Sequence, residues 1–372
     1  MSAAGVPEHA RPLTALRFLA ALWVLCHHAL PQQGPVTTAI GATGWLGVSL
    51  FFVLSGFLLT VRYAPDGTLR TTPRTFWLER VARLAPTYLL ALAFALPLFV
   101  RDARVADHGA GRIAAIAAST VSLQQSWHPA LACQWDCPAW SLSVEAWFYF
   151  AFPLLVALVG AWLLRDSAAR PGRGAMLLAG AMGASAVVFP WLERASASWP
   201  APVYSLSPLA RWPEFVAGMA LSALIGTRRP RFAGPGVVAL LAGTAWLAVV
   251  VTLRGPIMDA GLHLLPPSLP GFVLLVAGCW LLREHPAFGL GAPWLVALGE
   301  ASYALYLFHA PLHGYLLAAA NRVLGRGYDG TWGLFAGYGA LAILLSVAVH
   351  RGFERPWRTR LRSRWGLGQR AA

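Results

Sequence analysis

Apolar residues fall in runs of about the length a bilayer requires, separated by short connections rich in arginine. A helix needs about 20 residues to cross a hydrocarbon core of about 30 Å. Runs at 13–30, 44–61, 84–100, 140–164, 174–192, 205–226, 232–253, 268–282, 298–320 and 331–350 predict ten spans. The sixth is interrupted by Pro208, Arg211 and Pro213, and the eighth is short. A further run, 113–125, contains Ser, Thr and Gln and reads as an interfacial or re-entrant helix. The expected fold class is all-α: a polytopic membrane protein of about ten transmembrane helices. Residues 1–372 form a single integral-membrane domain with a short basic tail from about 351, with no internal repeat or long linker.

Composition agrees. The chain is 57% hydrophobic and 12% charged, about half the charged fraction of a soluble domain. Its net charge is +14, and all 29 basic residues are arginine. The arginines lie between apolar runs, which favours membrane orientation over nucleic-acid binding. With the N-terminus inside, twenty arginines fall on inner connections and seven on outer ones, while Arg17 and Arg211 lie within spans. Both termini are therefore expected in the cytoplasm, in a multi-pass protein of the cell membrane. The first apolar run lacks a small-residue cleavage site and reads as a retained span. The tail is expected against anionic lipid headgroups.

Against this background the ionisable residues inside apolar runs stand out, because such groups are costly in a membrane. Arg17 and His28 are eleven residues apart in LTALRFLAALWVLCHHAL. They return to one helix face within about 20°, roughly 16 Å apart along the axis. His27 is rotated about 100° from His28 and cannot share that face. In FWLERVARLAPTY, Arg80 and Arg83 share a face at i, i+3. Paired guanidiniums suit a phosphate-bearing ligand, although positive-inside anchoring explains the same pattern. In WSLSVEAWFYFAFP, Ser141, Glu145 and Tyr149 form a polar stripe expected in the outer half of the fourth span. A His28–Glu145 contact is expected there, with the carboxylate orienting the imidazole. The alternative is a structural polar contact between spans. His309, near Tyr303 and Tyr306, reads as a site-wall residue or a buried structural histidine. Arg211 and Glu214 are expected to pair internally. Cys133 and Cys137 suggest a short local disulfide on the outer side, and no metal-ligand set is evident.

These motifs resemble the membrane acyltransferase-3 family. LTALRFLAALWVLCHH resembles its opening, with an arginine and a histidine separated by ten residues, and GVSLFFVLSGFLL resembles its second-span motif. Ser49 departs from an acidic residue frequent at that position, as does Ala146 in the fourth-span motif. FWLERVARLAPTY, WSLSVEAWFYFAFP, RWPEFVAGM, LGEASYALYLFHAPL and FERPWR follow in the family's order, so the resemblance runs from about residue 12 to 358. It implies a ten-span O-acyltransferase that moves an acyl group, usually acetyl, from cytoplasmic acyl-CoA to a hydroxyl of a glycan or glycosylated small molecule. Acyl-CoA is then a co-substrate and no cofactor is permanently bound. Some members carry a C-terminal hydrolase-like domain. The 372 residues end too soon for one, implying a separate partner or none.

The residues carried over are Arg17, Arg80 and Arg83 for acyl-CoA, with His28 as base and Glu145 orienting it. Ser141, Tyr149 and His309 are site-wall residues. Acceptor choice is expected in the outer connections 31–43, 101–139, 193–204 and 254–267. A second reading of the buried ionisable residues is a transporter or flippase for a lipid- or sugar-linked molecule. A third, a membrane glycosyltransferase, lacks the acidic loop site such an enzyme typically needs.

Overall fold

A computed structural model describes residues 11–165, 170–195, 206–226, 232–285, 289–324 and 331–367. The chain folds as α1 (Arg11–Ala29), α2 (Pro35–Thr43), α3 (Gly47–Tyr63), α4 (Pro73–Val105) and α5 (Ala110–Val121). It continues with α6 (Trp140–Leu155), α7 (Ala161–Leu164), α8 (Pro171–Ala195), α9 (Pro208–Ile225), α10 (Gly234–Thr252) and α11 (Arg254–Asp259). The last elements are α12 (Leu265–Leu281), α13 (Pro293–Glu300), α14 (Ser302–Leu324), α15 (Trp332–Val349) and α16 (Arg355–Arg364). No strand occurs among the described residues.

Among the described residues, seven helical stretches are long and apolar enough to cross a membrane. They are Arg11–Ala29, Pro35–Tyr63, Pro73–Val105, Cys137–Leu164, Pro171–Leu192, Gly234–Thr252 and Trp332–Arg364. The other apolar runs, 205–226, 268–282 and 298–320, coincide with α9, α12 and α14. The connection residues 196–204, and Arg228, Arg229, Arg231, Arg326 and Arg370 from the charge census, lie outside the described residues.

Three elements depart from the apolar pattern. Helix α4 begins at Pro73 rather than near residue 84, because Thr72 caps it through its side chain and Pro73 presets the first turn. Arg80 and Arg83 are therefore well inside a helix, not at its entry. Helix α2 occupies the connection 31–43, where the apolar pattern placed no span. A π-helical turn, His350–Glu354, joins α15 to α16, and α16 packs on α4 through an Arg362–Glu79 ion pair at 3.4 Å. One face of the tail expected at the lipid surface is thus engaged with protein.

Packing relies on aromatic stacks and on glycine at close crossings. Phe148 stacks on Phe215 and Trp212 with ring centres 4.6 and 5.3 Å apart, joining α6 to α9. Where α3 crosses α9, Gly56 and Gly218 face each other's backbone. A Cβ on Gly56 would lie 2.0 Å from the Phe215 carbonyl oxygen, and one on Gly218 would lie 2.1 Å from that of Val53. Small residues permit this approach where no hydrophobic effect drives helices together. Ser49 and Ser55, which serve the site, lie on the same α3 segment as this crossing. Between α4, α6 and α9 an apolar cavity of about 590 Å³ is lined by Trp77, Trp147, Phe150 and Leu209 among others, and by no ionisable residue.

Gly56→Leu is expected to destabilise the protein by about 1–3 kcal/mol or more, because the new side chain must displace backbone. Gly180→Ala, on a helix face with nothing within 4 Å, is the control and should leave stability unchanged or slightly raised. Thermal unfolding of the detergent-purified proteins checks both.

Candidate active site

The ionisable residues of the apolar helices form a file running along the bundle from the His28 end of α1 to its Arg17 end. At the His28 end, the His27 ring is turned aside by a hydrogen bond from Nδ1 to the Gly41 carbonyl, 2.7 Å long. His28 is exposed and makes no hydrogen bond among the described residues. Its ring centre lies 5.0 Å from that of His309 on α14. His309 is buried, and its Nδ1–H donates to the Tyr306 carbonyl at 2.7 Å. That bond fixes the tautomer and leaves the lone pair on Nε2, which has no partner. His313 lies within electrostatic reach of both rings.

One turn further in, Ser141 Oγ lies 2.8 Å from the Tyr306 hydroxyl, which donates to the Pro138 carbonyl at 3.0 Å. This contact ties the start of α6 to α14. Beside it, Arg211 and Glu214 form an ion pair at 3.0 Å, both almost fully buried. Arg211 also donates to Ser49 Oγ at 3.1 Å and lies over the Trp140 ring. The pair joins α3, α6 and α9.

Glu145 lies deeper still. Since Ser141 is held at Tyr306, one turn inward of His309, Glu145 falls about 6 Å further toward the Arg17 end. Its Oε1 accepts from Ser55 at 3.3 Å and from Tyr149. Arg17 lies within electrostatic reach of Glu145, Tyr149, Arg83 and Glu354. The expected His28–Glu145 contact is therefore absent. The carboxylate serves the arginines, and the neighbour of His28 is another imidazole. The reading failed on depth, because the start of α6 relative to α1 is set by tertiary contacts that periodicity does not encode.

The innermost layer centres on Tyr63. Arg80 is buried and donates from Nη2 to the Tyr63 hydroxyl at 2.7 Å, and the hydroxyl donates to Glu79. Arg83 lies within electrostatic reach of Glu145, Tyr149, Glu354 and Tyr303. Thus Arg17 and Arg83 lie within reach of the same carboxylates, Glu145 and Glu354, while Arg80 is bonded to the adjoining Tyr63–Glu79 pair. Glu354 escaped notice in the sequence. It is buried, close to His350 at 3.2 Å, and its signal was a lone carboxylate within the basic FERPWR segment.

Outside the file, Cys133 and Cys137 are disulfide-bonded, while Cys26 and Cys279 are free. Between the bonded pair, Asp136 is buried, and neither carboxyl oxygen has a partner. Burial holds this carboxyl well above the usual carboxylate range.

These features define a helical membrane protein whose polar groups are threaded through apolar helices. The chain belongs to the acyltransferase-3 family, whose acyltransferase-domain model matches residues 13–351. It is similar to the acyltransferase MdmB of Streptomyces mycarofaciens, at 31% identity over 364 residues covering 91% of this chain and 88% of that protein. It is also similar to the exopolysaccharide production protein ExoZ of Rhizobium meliloti, at 30% identity over 356 residues covering 93% and 99%. The O-acetyltransferase OatA of Staphylococcus aureus matches at 26% identity over 161 residues, 41% of this chain and 26% of that protein. No solved structure matches the chain. The protein is an acyltransferase that transfers groups other than aminoacyl groups, and the transporter and glycosyltransferase readings are set aside.

Glu145→Gln is expected to destabilise the fold by roughly 3 kcal/mol, since it leaves Arg17 and Arg83 short of a counter-charge. It should not move the titration of the His28 imidazole, followed by histidine-selective NMR. A moved titration would restore a direct link between Glu145 and His28.

Proposed function

We propose that this enzyme transfers an acyl group, most simply acetyl, from cytoplasmic acyl-CoA to a hydroxyl of a carbohydrate or glycosylated acceptor at the outer face of the cell membrane. The observation that carries this reading is the continuous file from Arg80 and Arg83, past Arg17 and Glu145, to the His28–His309 pair. It links a phosphate-binding chemistry at one end to a base at the other. The bias of arginine toward inner connections supports ten spans with both termini in the cytoplasm. In that orientation the arginine end faces the donor. The likeness to ExoZ, an exopolysaccharide production protein, and to OatA, an O-acetyltransferase, supports a hydroxyl on a glycan as acceptor.

Arg80, Arg83 and Arg17 hold the donor phosphates, each guanidinium fork taking paired oxygens. The flexible pantetheine arm runs along the face shared by Arg17 and His28, a span of roughly 16 Å. At its end the thioester carbonyl meets the acceptor hydroxyl. His28 takes the hydroxyl proton as the oxygen attacks the carbonyl carbon. The new C–O bond forms, the C–S bond breaks, and the imidazolium returns its proton to the departing thiolate. Imidazole suits both steps because its reference pKa, about 6.5, lies near working pH. Ser141, Tyr149 and His309 line the path.

His28→Ala should reduce transfer from radiolabelled acetyl-CoA by about 10²–10⁴-fold in purified protein. Turnover at the wild-type rate in that variant would overturn the assignment. Replacing Arg80 and Arg83 together by Ala should raise the donor KM about tenfold or more with a smaller change in kcat. An unchanged donor KM would reduce both residues to topology anchors.

A further inference from the structure

FERPWR is a motif that the route above does not use. It opens α16, and α16 folds against the arginine end of α4. Around Tyr63, three helices contribute guanidiniums. Arg62 from α3 and Arg80 from α4 each lie 5.3 Å from the Tyr63 ring centre. Arg362 from α16 reaches Glu79 at 3.4 Å, on the carboxyl oxygen that Tyr63 leaves open. Arg358 lies one turn before Arg362 on the same face of α16. It is half-buried and forms no salt bridge among the described residues. Arg62, Arg80, Arg83 and Arg362 all lie within its electrostatic reach.

Half-buried like charges repel strongly where the dielectric is low, and such a cluster is costly unless an anion joins it. Glu79, the carboxylate bonded to Tyr63, is already engaged by Tyr63 and Arg362, while Glu145 and Glu354 lie within electrostatic reach of Arg83. A second sign of a missing anion is Arg80 Nε, which is buried without an acceptor although its Nη2 is bonded. The cluster is thus built for a ligand with several negative charges and oxygens in pairs, which is the chemistry of phosphate groups.

We infer that α16 is part of the donor site, and that Arg358, with Arg62, Arg80 and Arg83, holds the phosphates of acyl-CoA. This rests on the donor reading above and extends it to α16, the last part of the Trp332–Arg364 stretch. An anionic lipid headgroup would offer the same chemistry, so the experiment separates the two sources.

The test is Arg358→Ala, assayed with acetyl-CoA and with acetyl-pantetheine, a donor lacking the nucleotide phosphates. Both are run in phosphatidylcholine and in phosphatidylglycerol nanodiscs. The expected result is a donor KM raised about tenfold for acetyl-CoA, with kcat nearly unchanged, and no effect on acetyl-pantetheine in either lipid. The unliganded variant should also unfold at the same temperature as wild type or higher, since a repelling charge has gone. A merely structural arginine would lower that temperature. An unchanged KM for acetyl-CoA overturns the inference, as does an equal loss with both donors. An effect confined to phosphatidylglycerol assigns the cluster to lipid and also overturns it. If the wild-type protein turns over no acyl-CoA at all, the donor reading fails instead. Thermal stabilisation by inorganic pyrophosphate, expected for wild type and absent in Arg358→Ala, then decides the phosphate site alone, and equal stabilisation of both proteins overturns it.

Discussion

A guanidinium or carboxylate among apolar helices costs several kcal/mol unless another charge or hydrogen bond meets it. That constraint organises this bundle. Arg17 sits in the first helix, and the groups that answer it come from far along the chain: Glu145 on α6, with Tyr149, and Glu354 after α15. Arg83 on α4 shares the same carboxylates. Removing Glu145 would leave two arginines with Glu354 alone of these two carboxylates, so these helices are joined by charge balance as well as by packing. Arg211 and Glu214 apply the same rule within α9, and their engagement with Ser49 draws α3 into place.

Close helix approach makes such pairing possible. Ser55 reaches Glu145 from α3, and the next residue, Gly56, lies where α3 meets the α9 backbone. The two demands fall on adjacent residues of one helix turn. A larger residue at 56 would push α3 away from α9 and alter the position of Ser49 and Ser55 together. The apolar exterior plays no part in this chemistry. Leu154, Leu158, Val238 and Leu344 point away from the core, as expected of surfaces that meet lipid.

The apolar runs are legible as helices because burial in lipid or protein selects for length and hydropathy, and both can be read residue by residue. The shared face of Arg17 and His28 is likewise legible, since it depends only on helix geometry. Depth across helices is not. Glu145 seemed level with His28 because the run 140–164 was placed by its own ends. The Ser141–Tyr306–Pro138 contact instead sets the register of α6, and no periodicity announces it. The long start of α4 was missed for a local reason: Thr72 and Pro73 form a cap outside the apolar run. The return of α16 onto Glu79 was missed because a stretch rich in arginine reads as a solvated tail. Only the isolated Glu354 hinted that it packs against protein.

The displacement of Glu145 changes the character of the histidine site. A carboxylate beside an imidazole both orients it and opposes its positive charge. Another imidazole can do only the first while it stays neutral. His309 is suited to that task, because the Tyr306 carbonyl takes its Nδ1–H and leaves Nε2 as an acceptor beside His28. The file therefore keeps its negative charge near the arginines and a hydrogen-bond acceptor near His28. In the proposed transfer a positive charge formed on His28 would have no carboxylate beside it among the described residues. It is favoured only while the developing oxyanion and the departing thiolate lie close by. In the proposed transfer such an arrangement would favour brief protonation and prompt return of the proton to sulfur, and the thioester itself would be the partner that the carboxylate was expected to be.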